Sequence, residues 1–235
     1  MKNKFLEDDI KKIHENIDFS EMKNKSILIA GSTGLIGLYI LLSLKDIFER
    51  DNIKITIIYQ STIDKIFYDF IDFTKVECII EDITNINALD KRLGDYDYII
   101  NAAGYGQPNK FLEDQLKTIE LNTSSTILLF SKLKKGGKFL FVSSSEVYSG
   151  INTHQTEDIV GTTTPDHPRA CYIEGKKCGE TICNIHRKLG VNAKSVRLSL
   201  TYGPGTKRDD KRMLSNFIQK GLINKEIKLL DHGKS

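Results

Sequence analysis

The sequence predicts an α/β fold in which helices cover both faces of a doubly wound parallel sheet. Short apolar runs alternate with helical patterns, the connections between the runs are long enough to hold helices, and no repeat or low-complexity tract interrupts the chain. Sheets of this Rossmann type bind ligands beyond the carboxyl ends of their strands. Residues that carry chemistry are therefore expected directly after strands.

Each element of this prediction rests on a local pattern. Strands are predicted from apolar runs at 26–30, 54–59, 76–80, 97–102, 138–143 and 194–199, and helices at about 35–50, 85–93, 109–134 and 170–189. Residues 5–24 predict an amphipathic helix before the main fold. These patterns divide the chain into an N-terminal helical extension (1–25), a Rossmann-type α/β domain (26–202), and the start of a small lobe (203–235) with a helix near 211–224 and a strand near 227–230.

Composition excludes several other classes. The chain has 235 residues, with 34 basic and 31 acidic side chains, and its basic residues are scattered, which gives nucleic-acid binding no support. The longest nearly apolar stretch, 34–44, is shorter than the roughly 20 residues of a membrane span, so no membrane partner is predicted. A polar, acidic N-terminus favours a cytoplasmic protein. The four cysteines contain no C-x-x-C pair, which favours reduced thiols and gives no metal site.

A glycine-rich loop directly follows the first strand. Residues 31–37 read Gly-Ser-Thr-Gly-Leu-Ile-Gly, and an apolar helix comes next. Glycines let the backbone turn sharply and approach a pyrophosphate, whose charge meets free amides at the helix N-terminus. The alternative is a merely tight strand–helix turn; the strand before and the helix after favour a dinucleotide. The predicted cofactor contacts are Gly31, Thr33, Gly34, Leu35, Ile36 and Gly37.

The adenosine end of this predicted site is less typical. An acidic residue usually follows the second strand and binds the ribose hydroxyls, but this strand ends Tyr59-Gln60-Ser61. No arginine stands there for a 2′-phosphate either, so NAD is favoured while the choice between NAD and NADP stays open. Further cofactor contacts are predicted after the third strand, at Asp82 and Ile83, and after the fourth, at Ala102, Ala103 and Gly104.

The strongest constellation combines two separated segments. Ser144 ends a predicted strand, and Tyr172 and Lys176 lie four residues apart on one face of a predicted helix. The lysine ammonium favours the tyrosine phenolate, which turns the phenol into a usable base. Moving a phenol pKa from about 10 to about 7 requires roughly 4 kcal/mol, expected to be shared by the lysine, the positive nicotinamide ring and partial desolvation. An isolated Y-x-x-x-K is more often part of a solvated helix face. Here the glycine loop and the serine-rich strand end precede this motif in the sequence, which favours a catalytic role for it.

These motifs resemble those of the extended short-chain dehydrogenase/reductases that modify nucleotide sugars. Segments 143–148, 168–176 and 212–218 look most like those of UDP-glucuronate decarboxylases. The resemblance implies Tyr172 as the base and Lys176 as its partner, and both residues as contacts of the cofactor. It implies Ser144 as the hydroxyl beside the reacting oxygen. It also implies Glu146 as an accessory carboxylate and substrate contact, with Ser145 and Asn216 as further substrate contacts. Asn122 matches the family's structural asparagine.

The resemblance leaves several activities open. All begin by oxidising the sugar 4-hydroxyl to a ketone; a β-keto acid then loses carbon dioxide, whereas a 4,6-dehydratase usually needs an Asp-Glu pair where this chain has Ser145-Glu146. A 4-epimerase needs no acid there, and a non-catalytic dinucleotide-binding regulator is an alternative of another class. Leu200 and Gly205 depart from the decarboxylase pattern, and 203–235 is expected to be a truncated substrate lobe. A UDP-sugar substrate, a homodimer formed through helices 109–134 and 170–189, and a role in polysaccharide precursor synthesis are implied.

Overall fold

The fold was examined in a computed structural model, which describes residues 4–63, 65–151, 154–207, 209–223 and 225–227. Within these residues one six-stranded parallel sheet has the order β3-β2-β1-β4-β5-β6, which confirms the predicted fold class. The strands are β1 (Ser26–Ala30), β2 (Lys54–Tyr59), β3 (Glu77–Ile80), β4 (Tyr96–Asn101), β5 (Leu133–Ser144) and β6 (Asn192–Leu198). The α-helices are α1 (Lys4–Asn16), α2 (Leu35–Ser43), α3 (Ile86–Arg92), α4 (Pro108–Glu113), α5 (Gln115–Asn122), α6 (Ser124–Ser131), α7 (Ala170–Lys188) and α8 (Met213–Leu222).

The strand order reverses between β1 and β4. The chain adds β2 and β3 on one side of β1, then returns to pair β4 with the other side of β1. Connections after β1 and β4 consequently leave opposite faces of the sheet. Such a reversal opens a crevice at the carboxyl ends of the strands, where ligands of this fold class bind.

Two apolar cores lie on opposite faces of the sheet. Along β1, Leu28 points into the core beneath the helices α3 and α5–α7, whereas Ile27 and Ile29 point into the core beneath α2. All three side chains are fully buried. This arrangement explains why the first strand is apolar at consecutive positions instead of alternating with polar residues.

The N-terminal helix is shorter than the pattern predicted. It ends at Asn16 and buries Leu6 and Ile10 in the core that α2 covers, while Phe5 is 73% exposed. The His14 ring nitrogen Nε2 donates a hydrogen bond to the carbonyl oxygen of Ser43 over 2.8 Å. Helix α1 therefore acts as a cover for α2.

Two other predicted helices also differ from the structure. The pattern at 109–134 divides into α4, α5 and α6, with breaks at Asp114, whose carboxylate caps α5 by accepting from the Lys117 amide, and at Thr123, whose ψ of −84° is not helical. Strand β5 then begins at Leu133 instead of 138. The pattern at 35–50 ends its helix at Ser43 and continues as turns.

The C-terminal part is described only up to residue 227. Helix α8 confirms the helix expected near 211–224, with shorter bounds. The strand expected near 227–230 lies, apart from Ile227, outside the described residues. Across the described ranges no helix has both the length and the hydropathy needed to cross a membrane.

Candidate active site

A cleft of about 790 Å³ opens at the carboxyl ends of the strands. Its volume lies in the upper part of the roughly 300–1,000 Å³ that is usual for ligand pockets. All residues that the sequence predicted as cofactor contacts line it: Gly31, Thr33, Gly34, Leu35, Ile36, Gly37, Asp82, Ile83, Ala102, Ala103, Gly104, Tyr172 and Lys176. The cleft therefore brings together motifs that lie up to 145 residues apart in the sequence.

The glycine loop forms one wall through close backbone contacts. Gly31 has a φ of +81°, and a Cβ atom there would lie 2.5 Å from the Ala102 carbonyl oxygen. A Cβ on Gly37 would lie 2.3 Å from the Gly31 carbonyl oxygen. Gly34 is the N-cap of α2 and offers no side-chain cap, so the first amides of the helix remain available to an anion. Only glycine permits this packing.

The end of the cleft that is predicted to bind adenosine contains a carboxylate that pairs with a lysine. Asp82 follows β3 and forms an ion pair with Lys117 of α5. Burial opposes ionisation of Asp82, but the hydrogen bonds from Lys117 and Thr84 outweigh it and lower the pKa of this carboxyl. Gln60, at the end of β2, donates a hydrogen bond to Asp82 over 3.2 Å. Lys117 was not singled out from the sequence, because its partner lies 35 positions away.

Tyr172, Lys176 and Ser144 meet at the other end of the cleft. Lys176 is only 4% exposed, its Nζ atom donates to the Val142 carbonyl oxygen over 2.7 Å, and Nζ lies 5.8 Å from the centre of the Tyr172 ring. Burial lowers the pKa of Lys176 to about 8, and the charge of Glu180 acts in the opposite direction. A lysine with this pKa is still largely protonated at neutral pH.

Tyr172 is held between an aromatic ring and a hydroxyl. Its ring stacks on that of Phe111, with centroids 4.6 Å apart, and its phenol interacts with the Ser144 hydroxyl. Burial raises the pKa of Tyr172, and the interaction with Ser144 lowers it. The expectation that desolvation helps to form the phenolate was wrong in sign, since burial disfavours the charged form. Positive charge must supply the lowering.

A salt bridge crosses the floor of the cleft beside the tyrosine. The Arg169 Nη2 atom lies 2.6 Å from Glu146 Oε1, and the Arg169 guanidinium lies over the Phe111 ring at 5.4 Å. The Glu146 amide donates to the Ser144 hydroxyl over 3.2 Å. Arg169 was missed in the sequence, although its position three residues before Tyr172 was the available signal. Glu146 is therefore paired and not a free carboxylate.

A buried network supports this end of the cleft from behind. Glu180 accepts hydrogen bonds from the Ser143 hydroxyl over 2.6 Å and from Arg197 Nη2 over 2.7 Å. Ser143 precedes Ser144, and Glu180 lies one helical turn after Lys176. The network thus joins β5 to α7, the two elements that carry the serine, the tyrosine and the lysine. Sequence reasoning missed it, although the i, i+4 spacing from Lys176 was visible.

The remaining predicted residues are distributed unevenly. Ser145 and Glu146 line the cleft, whereas Asn216 is half-buried on α8 and is not among the residues that line it. Asn122 lies at the end of α5 and donates to the Thr118 carbonyl oxygen over 2.7 Å. Its buried Oδ1 atom has no hydrogen-bond partner among the described residues.

A parallel sheet with this glycine loop and a serine, a tyrosine and a lysine in one cleft defines the short-chain dehydrogenase/reductase class. Within that class, the chain belongs to the NAD dependent epimerase/dehydratase family, whose model matches residues 27–235.

Two curated relatives of this chain are UDP-glucuronic acid decarboxylases. UDP-glucuronic acid decarboxylase 1 of Xenopus tropicalis is 30% identical over 220 residues, which are 92% of this chain and 50% of that protein. UDP-glucuronic acid decarboxylase 3 of Arabidopsis thaliana is 31% identical over 202 residues, covering 85% of this chain and 57% of that protein. The chain thus spans about half the length of the curated relatives it matches.

Solved structures of low sequence identity share the fold. UDP-glucose 4-epimerase of Thermotoga maritima aligns with a TM-score of 0.70 and 17% identity, covering 89% of this chain and 67% of that one. UDP-glucuronic acid 4-epimerase of Bacillus cereus, solved with UDP-glucuronic acid and NAD, aligns with a TM-score of 0.68 and 21% identity, covering 88% and 66%. These similarities confirm the α/β fold.

Proposed function

We propose that this protein binds NAD and acts on a nucleotide sugar through a 4-keto intermediate, most directly as a UDP-glucuronate decarboxylase. The observation that carries this proposal is the convergence of Ser144, Tyr172 and Lys176 in the cleft that the glycine loop also lines. The names of the curated relatives support the choice of substrate.

The cleft fits a dinucleotide at its glycine loop. The close backbone contacts of Gly31 and Gly37 leave the start of α2 uncovered, and its amides suit a pyrophosphate. Ala102, Ala103 and Gly104 would border the middle of the cofactor. Bound there, NAD would accept a hydride from carbon 4 of the sugar and return it at the end of the cycle.

The chain's own residues would handle the proton. The Ser144 hydroxyl would hydrogen-bond the sugar 4-oxygen while Tyr172 takes its proton. Because burial raises the pKa of Tyr172, the phenolate needs positive charge nearby. The Arg169 and Arg212 guanidiniums lower this pKa, and the buried Lys176 Nζ lies 5.8 Å from the centre of the Tyr172 ring. Lys176, together with these arginines, would stabilise the phenolate in the reacting complex.

The pairing of Glu146 favours decarboxylation over dehydration. A 4,6-dehydratase must remove the proton at carbon 5 and protonate the departing 6-hydroxyl, but here Ser145 is not acidic and Glu146 pairs with Arg169 at 2.6 Å. A 4-keto uronate needs neither group. The bond between carbon 5 and the carboxylate carbon breaks, and carbon dioxide leaves. The resulting enolate of the 4-ketone takes up a proton at carbon 5. A 4-epimerase also needs no acid and stays the alternative.

Product analysis distinguishes these activities. The protein is incubated with NAD and UDP-glucuronate, and the nucleotide sugars are analysed by mass spectrometry and chromatography. A product lighter by carbon dioxide supports decarboxylation, whereas an isomer of unchanged mass supports epimerisation. UDP-glucose serves as the matched substrate without a carboxylate, and loss of water from it would indicate a dehydratase. If no candidate sugar is converted or changes the absorbance of the reduced nicotinamide, the catalytic proposal fails and the regulator is favoured.

The proposal assigns a role to each part of the chain. Residues 26–202 would form the cofactor-binding unit, 1–25 its helical cover, and 203–235 would belong to the nucleotide-sugar lobe, with Asn216 on the substrate side. Asn216 lies half-buried on α8, in the described part of this segment.

A homodimer is also proposed. Helices α5, α6 and α7 each carry an apolar side chain that is more than half exposed, namely Leu116, Ile127 and Ile185, and Leu189 directly after α7 is exposed as well. Pairing these helices with those of a second copy would cover this surface. Light scattering during size-exclusion chromatography measures the mass; a dimer supports the proposal and a monomer at micromolar concentration contradicts it.

Location and pathway belong to the proposal as well. All four cysteines are free thiols, which supports a reducing compartment such as the cytoplasm. A sugar nucleotide product would be consumed by glycosyl transfer, consistent with the synthesis of polysaccharide precursors. Fractionation of cells that produce the protein tests the location.

A further inference from the structure

We infer that the adenosine end of the cleft accepts a 2′-phosphate, so that the protein binds NADP at least as tightly as NAD. The inference rests on the proposed function, since it assumes that a dinucleotide occupies the cleft. It begins from the end of β2, where Tyr59-Gln60-Ser61 contains no carboxylate. In NAD-binding folds an acidic residue at this point binds the ribose 2′-hydroxyl, and its charge repels a 2′-phosphate.

The structure supplies a cation here that the local sequence does not. Lys207 lies in the loop after β6, 146 residues from Ser61, and its Nζ atom donates to the Ser61 hydroxyl over 3.2 Å. The Ser61 and Thr33 hydroxyl oxygens are 2.8 Å apart. All three side chains line the cleft. One ammonium and two hydroxyls at hydrogen-bonding distance form a suitable set of donors for a phosphate.

The balance of charge at this end favours an anion. The two acidic side chains that follow β3 already have cationic partners, Asp82 with Lys117 and Glu81 with Arg92 at 3.7 Å. In the described part of the chain no carboxylate oxygen lies within 4 Å of Lys207 Nζ. Lys207 therefore keeps an uncompensated charge beside the two hydroxyls, where it can pair with a ligand.

A simpler interpretation is that Lys207 only fastens its loop to Ser61. A second is that it contacts the pyrophosphate, which NAD and NADP share. In both cases Lys207 would contribute nothing to a preference for NADP over NAD. Measuring the affinities of the two dinucleotides therefore separates these interpretations from the inference, and no turnover is needed.

The test is calorimetric titration of the protein with NAD and with NADP. We expect NADP to bind at least as tightly as NAD, and Lys207→Ala to weaken NADP by about tenfold while NAD changes by less than about twofold. Ser61→Asp should invert the preference by adding the missing carboxylate. Lys54→Ala, which removes the same charge from the opposite end of β2, is the matched control and should change neither affinity.

Other outcomes overturn the inference in recognisable ways. Equal weakening of both dinucleotides by Lys207→Ala would assign the lysine to the pyrophosphate, and no weakening would leave it a loop contact. Tight NAD binding with about tenfold weaker NADP binding by the unaltered protein would refute the inference and leave the proposed function intact. Failure to bind either dinucleotide would refute both. Should a variant fold poorly, competition on the unaltered protein between adenosine 2′,5′-bisphosphate and adenosine 5′-monophosphate decides, because only a 2′-phosphate site favours the bisphosphate.

Discussion

Replacing Glu180 with alanine is expected to lower the free energy of unfolding by about 3 kcal/mol. The carboxylate is 10% exposed and accepts from Arg197, which is 15% exposed, so the substitution leaves a guanidinium buried without its counter-charge. Loss of one partner of such a pair costs about 3–5 kcal/mol. The lower end applies because Arg197 keeps the Tyr148 hydroxyl at 3.0 Å and the Glu157 carbonyl oxygen at 3.1 Å as acceptors.

Urea denaturation followed by circular dichroism measures this loss. The matched control is Glu49→Ala, because Glu49 pairs with Lys75 over the same 2.7 Å while both side chains are about half exposed. The exposed pair is expected to contribute no more than about 1 kcal/mol. Equal losses in the two variants would refute the conclusion that burial makes the Glu180 pair important. Adding Arg197→Met to Glu180→Ala should restore part of the stability, since it removes the uncompensated charge.

Three further predictions follow from the site and the sheet. Gly37→Ala should abolish dinucleotide binding in calorimetry, because its Cβ would lie 2.3 Å from the Gly31 carbonyl oxygen; Gly94→Ala, whose Cβ meets nothing within 4 Å, should bind normally. Burial lowers the pKa of Lys176 to about 8, from the ordinary lysine value of 10.5, so between these pH values the folded state binds fewer protons than the unfolded state. The free energy of unfolding should therefore rise between about pH 8 and 10.5, by about 3 kcal/mol relative to Lys176→Met in urea denaturation. A difference between the two proteins that does not change with pH would contradict this. Burial opposes ionisation of Asp97, but hydrogen bonds from Lys134 and Ser26 outweigh it and lower the pKa of this carboxyl. In urea denaturation Asp97→Asn should therefore lower the free energy of unfolding by about 1–2 kcal/mol at pH 7, and by progressively less as the pH falls below 4. A loss that stays constant with pH would contradict this origin.

The sequence predicted the sheet and the glycine loop because their causes are local. Strands buried on both faces show as continuous apolar runs, and the loop requires glycines at fixed positions. The breaks at Asp114 and Thr123 escaped prediction, since either residue also occurs inside helices and only the path of the chain over the sheet decides. The segment 109–134 was therefore predicted as a single helix.

The pairings in the cleft were harder to predict than its lining. Tyr172 and Lys176 share a helix, so their spacing places them together, whereas Lys207 reaches Ser61 only because the loop after β6 crosses toward β2. The sign of the burial effect on Tyr172 also needed the structure, because a sequence does not show how deeply a phenol is buried. Contacts between distant segments depend on packing that no local pattern encodes.

The most direct test of the proposed chemistry compares Tyr172→Phe with Tyr68→Phe. Both remove one hydroxyl, but Tyr68 is 57% exposed and does not line the cleft. Turnover of UDP-glucuronate is followed by mass spectrometry, and NAD binding by calorimetry. We predict that Tyr172→Phe loses turnover and retains NAD affinity, while Tyr68→Phe retains both; turnover that survives Tyr172→Phe would contradict the assignment of this phenol as the base.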